Sequence, residues 1–167
     1  MRRVRLFPVL ALGAACGAAG ARPRPPEAGH PVSADTTTST NANADLVVTV
    51  RLGADTAGSR RPLLITVGVR NAGAAARELA TRSGCLTDYE LVDADGRVVG
   101  RSGQVCTQML TARPIAPGET IEELHNWVPG LPGTPDPAPG RYAVRGVLLL
   151  RDGPVRSAPA PVRVVPR

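Results

Sequence analysis

The sequence predicts an all-β protein, an antiparallel β-sandwich of about seven to eight strands, behind an N-terminal signal and a disordered tether. Apolar and polar residues alternate over several short stretches, the period of a half-buried strand. Gly 18 and Pro 17 among 167 residues favour turns over long helices. Turn dipeptides recur at spacings that suit short strands, and a small barrel is the alternative closure.

Residues 1–21 have the pattern of an export signal. Arg2, Arg3 and Arg5 supply the positive n-region, Leu6 to Ala15 the apolar stretch, and small residues follow to Ala21. The apolar run is shorter than the ~18 residues of a membrane span, and Pro8, Gly13 and Gly17 interrupt it. Leu12-Gly13-Ala14-Ala15-Cys16 resembles a lipoprotein signal, with Cys16 as the lipidated residue and Gly13 where a branched aliphatic is usual. Ordinary cleavage after Ala19-Gly20-Ala21 is the alternative. Lipidation is preferred because it also accounts for an odd cysteine count. The expected location is the cell envelope as a lipoprotein, otherwise the periplasm or the exterior. Residues 22–44, rich in Pro, Thr, Ala and Asn, read as a disordered linker. From Cys16 it is a coil of about 28 residues with a reach on the order of 30 Å. His30 stands in it without other metal-ligating residues.

Residues 45–166 form the expected folded domain. Leu46 to Leu52 and Leu63 to Val69 alternate cleanly, and Asn71-Ala72-Gly73 stops the second run. Ala76 to Arg82 reads as a weaker strand. Tyr89 to Val92 and Arg97 to Val99 flank Asp93-Ala94-Asp95-Gly96, a hairpin signal with Asp95-Gly96 as its turn. Thr120 to Val128 alternates imperfectly, with Ile121, Glu123, His125 and Trp127 on one parity and Leu124 on the other, so a bulge is expected. Arg141 to Arg151 is the longest strand, and Asp152-Gly153 turns it into Val155 to Val165, where Pro159 and Pro161 suit a sheet edge.

The hairpin register brings two cysteines together. With Asp95-Gly96 as a two-residue turn, Val92 faces Val99, Glu90 faces Arg101, and Cys85 faces Cys106. In an exported chain that proximity favours a disulfide over two buried thiols. Closing about 20 residues contributes on the order of 3 kcal/mol.

No enzymatic constellation accompanies this fold. The folded region has a single histidine, His125, and Gly100-Arg101-Ser102-Gly103 is not a nucleophile elbow. Glu122 and Glu123 point to opposite faces of a strand, and Asp93 and Asp95 belong to a turn. No metal spacing, phosphate loop or dinucleotide fingerprint is present, so no catalytic residue, metal or cofactor is expected. Every basic residue is arginine. Without Arg2, Arg3 and Arg5, seventeen arginines face fourteen acids, a charge of +3. Spread over alternate strand positions and with 2% aromatics, they speak against nucleic-acid binding.

From Leu63 to Val165 the order of landmarks resembles the bacterial intracellular proteinase inhibitor (BsuPI-like) domain family. The landmarks are Val69-Arg70-Asn71-Ala72-Gly73, Ser83-Gly84, Tyr89-Glu90-Leu91, the acidic-Gly hairpin, Cys106-Thr107-Gln108-Met109-Leu110, Ile115-Ala116-Pro117-Gly118-Glu119-Thr120, Trp127, and Gly140-Arg141-Tyr142-Ala143-Val144. The resemblance implies an immunoglobulin-like sandwich, a tyrosine corner at Tyr142 and structural roles for Trp127 and Tyr89. It also implies a protein partner, of which a serine protease is the family's example. Cys106 stands where the family has an aromatic, and the export signal departs from the intracellular setting. Leu131 to Pro139 and the loop near Ser102 are the candidate contact loops. A non-inhibitory, envelope-anchored assembly module is the alternative function.

Overall fold

The computed structural model describes residues 37–40, 45–58 and 62–166; Cys16 and His30 lie outside them. The strands are β1 (Thr37–Thr40), β2 (Leu46–Leu52), β3 (Thr56–Ala57), β4 (Leu63–Asn71), β5 (Arg77–Thr81), β6 (Thr87–Val92), β7 (Val98–Arg101), β8 (Thr111–Ile115), β9 (Thr120–Trp127), β10 (Gly140–Leu148), β11 (Val155–Arg156) and β12 (Ala160–Val164). One sheet has the order β1-β2-β4-β9; the other is β3-β12-β10-β6-β7, with β11 also on β10. A two-stranded sheet, β5-β8, completes the domain. All pairings are antiparallel except the short β3–β12 contact. This is an immunoglobulin-like sandwich.

The period-two stretches supply the core because alternate residues share a face. Val48, Val50, Ile65 and Val67 from the first sheet meet Tyr89, Leu91, Val144 and Leu148 from the second, all fully buried. Trp127 is enclosed at the end of β9.

Several local expectations change. Thr37–Thr40 lies inside the segment expected as linker, yet it pairs with Val47–Val50 at the edge of the first sheet. Its run of threonines has high strand propensity, and β2 offers an open edge. In the β6–β7 hairpin the turn is Asp93–Gly96, closed by Gly96 N donating to Asp93 O. Gly96 takes φ +77°, a left-handed conformation cheap only for glycine. Asp93 Oδ1 accepts from the N–H groups of Asp95 and Arg97, which fixes this longer turn. Val92 consequently faces Val98 rather than Val99, while the pairing of Glu90 with Arg101 is as the sequence indicates.

The expected bulge in Thr120–Val128 is absent. β9 keeps one unbroken register on β4, from Leu63 opposite Trp127 to Arg70 opposite Thr120. Glu123 is accepted on the inner parity because Thr87 supplies it two donors, and Leu124 stays 62% exposed. The later turn is also displaced by one residue: Gly153 N donates to Leu150 O, so Arg151-Asp152 occupies its centre. β12 is one strand in from the edge, since β3 pairs with Arg163 and Val164. The N–H groups of Arg163 and Val165 point toward β3, to Asp55 O and Ala57 O. Position 161 points the same way beyond the end of β3, where proline has no donor to leave unpaired.

Tyr142 Oη donates to Ala138 O at 3.0 Å, bracing the approach to β10 in the geometry of a tyrosine corner. Tyr142→Phe should cost about 1 kcal/mol. Thermal melting checks this: an unchanged midpoint would show that the hydrogen bond contributes nothing.

Candidate protein-binding site

Both candidate loops lie at the same end of the domain and touch. A Cβ on Gly103 would collide with the carbonyl of Gly133, and one on Gly100 would come within 2.6 Å of Pro135. Only a bare backbone permits the approach at 103, where φ is also +66°. Trp127 Nε1 donates to Pro135 O at 2.8 Å, tying the 128–139 loop to the core. Thr134 Oγ1 donates to Val128 O, closing that loop on itself.

The segment from Ser102 to Leu110 is held at several points. Cys106 is disulfide-bonded to Cys85, with Cα atoms 5.4 Å apart. Both cysteines lie in irregular segments flanking the hairpin, close in space as the register arithmetic requires. Gly84 N donates to Thr107 O at 3.0 Å, and Gln104 Nε2 donates to Thr87 O at 2.6 Å. Val105, between these anchors, is 98% exposed, and just past them Met109 is 63% and Leu110 69% exposed. Leu131 on the neighbouring loop is 53% exposed. A held backbone presenting apolar side chains pays little ordering entropy on binding, which is the physical requirement of a protein-docking loop.

A polar network lies beneath it between the sheets. Glu123 Oε2 accepts from Thr87 N at 3.1 Å and Thr87 Oγ1 at 2.7 Å. The hydroxyl proton is therefore committed to the carboxylate, and His125 Nε2, 2.9 Å from Thr87 Oγ1, carries the proton it donates. Burial lowers the pKa of His125, against the opposing charges of Asp88 and Glu123, and favours this neutral form. The direction of the hydrogen bonds is opposite to nucleophile activation, in which imidazole takes the hydroxyl proton. Tyr89 packs its ring against His125 at 5.9 Å, and its buried hydroxyl has no partner among the described residues. Burial, then the charge of Asp88, pushes that hydroxyl's pKa well up.

Glu90, unlike the partly buried Glu123, is a fully buried carboxylate. Arg145, Arg156 and Arg101 reach it at 2.9, 3.0 and 3.3 Å. Burial alone would raise its pKa; the hydrogen bond and charge of Arg156, with the charges of Arg145 and Arg101, outweigh that and lower it. The bond to Glu90 likewise raises the pKa of Arg156, against the effect of burial. Among the described residues no group of three His, Cys, Asp or Glu side chains is placed to hold a metal ion.

Sequence reasoning located the two loops but not their contact, nor the anchoring role of Gln104. The glycines at 100 and 103 were the available signal, since a close approach by another segment needs them.

The fold and site define an immunoglobulin-like domain that presents a braced apolar loop. The sequence matches the intracellular proteinase inhibitor family, BsuPI, over residues 45–153, and the chain belongs to that family. No curated protein matches it. Similar solved structures include the CARDB domain of a Pyrococcus furiosus protein in complex with di-metal ions, at 19% identity and TM-score 0.42, covering 72% of this chain and 88% of that one. The sporulation control protein Spo0M of Bacillus subtilis is 17% identical at TM-score 0.48, over 74% of this chain and 50% of its own. Alkylpurine DNA glycosylase AlkC of Pseudomonas fluorescens is 12% identical at TM-score 0.44, over 71% of this chain and 30% of its own. These are distant likenesses, and the chain spans half or less of the last two.

Proposed function

We propose that this protein is an exported, lipid-anchored member of the intracellular proteinase inhibitor family that docks a partner serine protease on its 104–110 loop. The observation that carries the reading is the 98% exposure of Val105 on a backbone pinned by the Cys85–Cys106 disulfide and by Gln104. Family membership supports a protease as the partner class, and the residues around Cys16 support export and lipidation. A rigid loop with apolar tips can enter a protease cleft without first being ordered.

Titration against subtilisin-like and trypsin-like proteases tests it. Stoichiometric inhibition is expected, and Val105→Asp with Met109→Asp should weaken it at least tenfold without lowering the melting midpoint. No inhibition at micromolar excess would remove the inhibitor reading in favour of the non-inhibitory envelope module. Intact mass of the membrane-bound protein tests the anchor: an N-terminus beyond Cys16 without added lipid excludes it.

A further inference from the structure

The outer face of the β3-β12-β10-β6-β7 sheet collects arginines that the sequence distributes far apart. Arg141 of β10 lies directly opposite Arg163 of β12. Arg145 lies opposite Glu90, and Glu90 opposite Arg101. Arg156 of β11 faces Val147 of β10. Opposed residues share a face, as do residues two apart along a strand, so all five arginines project from one side. The other parity, including Val144, Leu148 and Val162, is buried in the core, which makes the arginine side the outer one.

This face holds more positive than negative charge. Glu90 serves three guanidiniums, and Asp88, opposite Val147, is the other acid of these rows. Arg141 and Arg163 are both exposed, and neither makes an ion pair or side-chain hydrogen bond with a described residue. Like charges directly opposite in a sheet are destabilising. A fold that places two arginines so, with no internal acid between them, breaks a local rule in the way a binding surface does.

We propose that this face docks on the phosphate headgroups of an anionic lipid bilayer. Guanidinium groups match phosphate oxygens with paired donors. Four neighbouring strands make a surface roughly 14 Å wide. Two cavities of the domain, one lined by Pro129, residues 136–139, Val164 and Val165 and the other by residues of β5, β8 and Glu123, include none of these arginines. The N-terminal sequence, with Cys16 and a tether of about 20 residues before β1 reaching roughly 25 Å, is expected to hold the domain beside a membrane. A flat basic face on such a domain meets a flat anionic surface. The proposal is independent of the 104–110 loop, and its test uses no protease.

The mature chain from Gly17 onward, which lacks both the export signal and Cys16, is sedimented with vesicles of phosphatidylglycerol and phosphatidylcholine in equal parts. Salt is held at about 0.1 M, a Debye length of roughly 10 Å. Binding is expected to the mixed vesicles and not to phosphatidylcholine alone. Arg141→Gln with Arg163→Gln should weaken it roughly 30-fold. Arg141→Lys with Arg163→Lys should retain it, which separates charge from folding. Arg70→Gln, an exposed change on the outer face of the other sheet, should weaken it less than about threefold. Equal binding to phosphatidylcholine, no loss in the glutamine pair, loss in the lysine pair, or an equal loss in Arg70→Gln overturns the proposal. Tighter capture by polyglutamate than by the mixed vesicles does so as well, in favour of an acidic protein partner.

Discussion

Glu90→Gln is expected to destabilise the domain by roughly 2–3 kcal/mol, because it removes the buried charge that three partly exposed guanidiniums share. The Glu90 side chain is 3% exposed and holds Arg145 and Arg156 by direct hydrogen bonds. Glutamine keeps the shape and one acceptor oxygen but not the charge. The melting midpoint should fall by about 10 °C. Arg145→Gln in the same chain should recover part of the loss, giving a coupling energy in a double-mutant cycle.

The pH dependence has a defined sign. The pKa of Glu90 is lower folded than its ordinary 4.5, so on acidification the unfolded chain takes the proton first. Its stabilisation is complete above about 4.5 and is lost as the pH falls through the folded value. His125, also lowered from its ordinary 6.5, adds a separate loss that begins as the pH drops below that value. Glu90→Gln should remove the lower of the two acid steps and leave the upper one. Urea unfolding across this range decides it. A variant with the parent's midpoint and acid limb would show the carboxylate to be dispensable.

The second large effect belongs to Trp127→Ala, with an expected cost of roughly 3–5 kcal/mol. Trp127 is fully buried at the end of β9, and its indole N–H holds Pro135 O. Trp127→Phe separates the two contributions. It keeps most of the apolar filling but drops the donor, leaving a carbonyl unpaired at a cost of about 1–3 kcal/mol. The 128–139 loop should then exchange its amide hydrogens faster and be cut sooner by an added protease. Unchanged exchange in Trp127→Phe would mean that other contacts hold the loop.

The core strands were legible because their chemistry is local. Leu46–Leu52 and Leu63–Asn71 declare themselves by alternation, and the proximity of Cys85 and Cys106 followed from counting outward from one turn. Errors arose where a single backbone conformation shifts a register. Asp95-Gly96 carries the signature of a two-residue turn, but the side chain of Asp93 captures two N–H groups and lengthens it. Arg151-Asp152 rather than Asp152-Gly153 sits at the second turn, and the register changes again between β11 and β12. A displacement of one residue is enough to hide Arg141 opposite Arg163. Glu123 was illegible for another reason: its donor, Thr87, lies in the opposite sheet. Thr111–Ile115 shows an exposed strand with no alternation to read, since it pairs only with β5.

The parallel contact between β3 and β12 has a consequence for the order of folding. Thr56 and Ala57 pair with Arg163 and Val164, joining the early part of the domain to its last strand. β10 likewise takes β12 on one side and β6 on the other. The first sheet can begin from β2 and β4, which are sequence neighbours, but the second cannot close until the chain has been synthesised nearly to its end. Closure over such separations is slow, on the order of milliseconds to seconds. For that interval the inner face of the first sheet, with Val48, Val50, Ile65 and Val67, stands open to water until its second layer covers it.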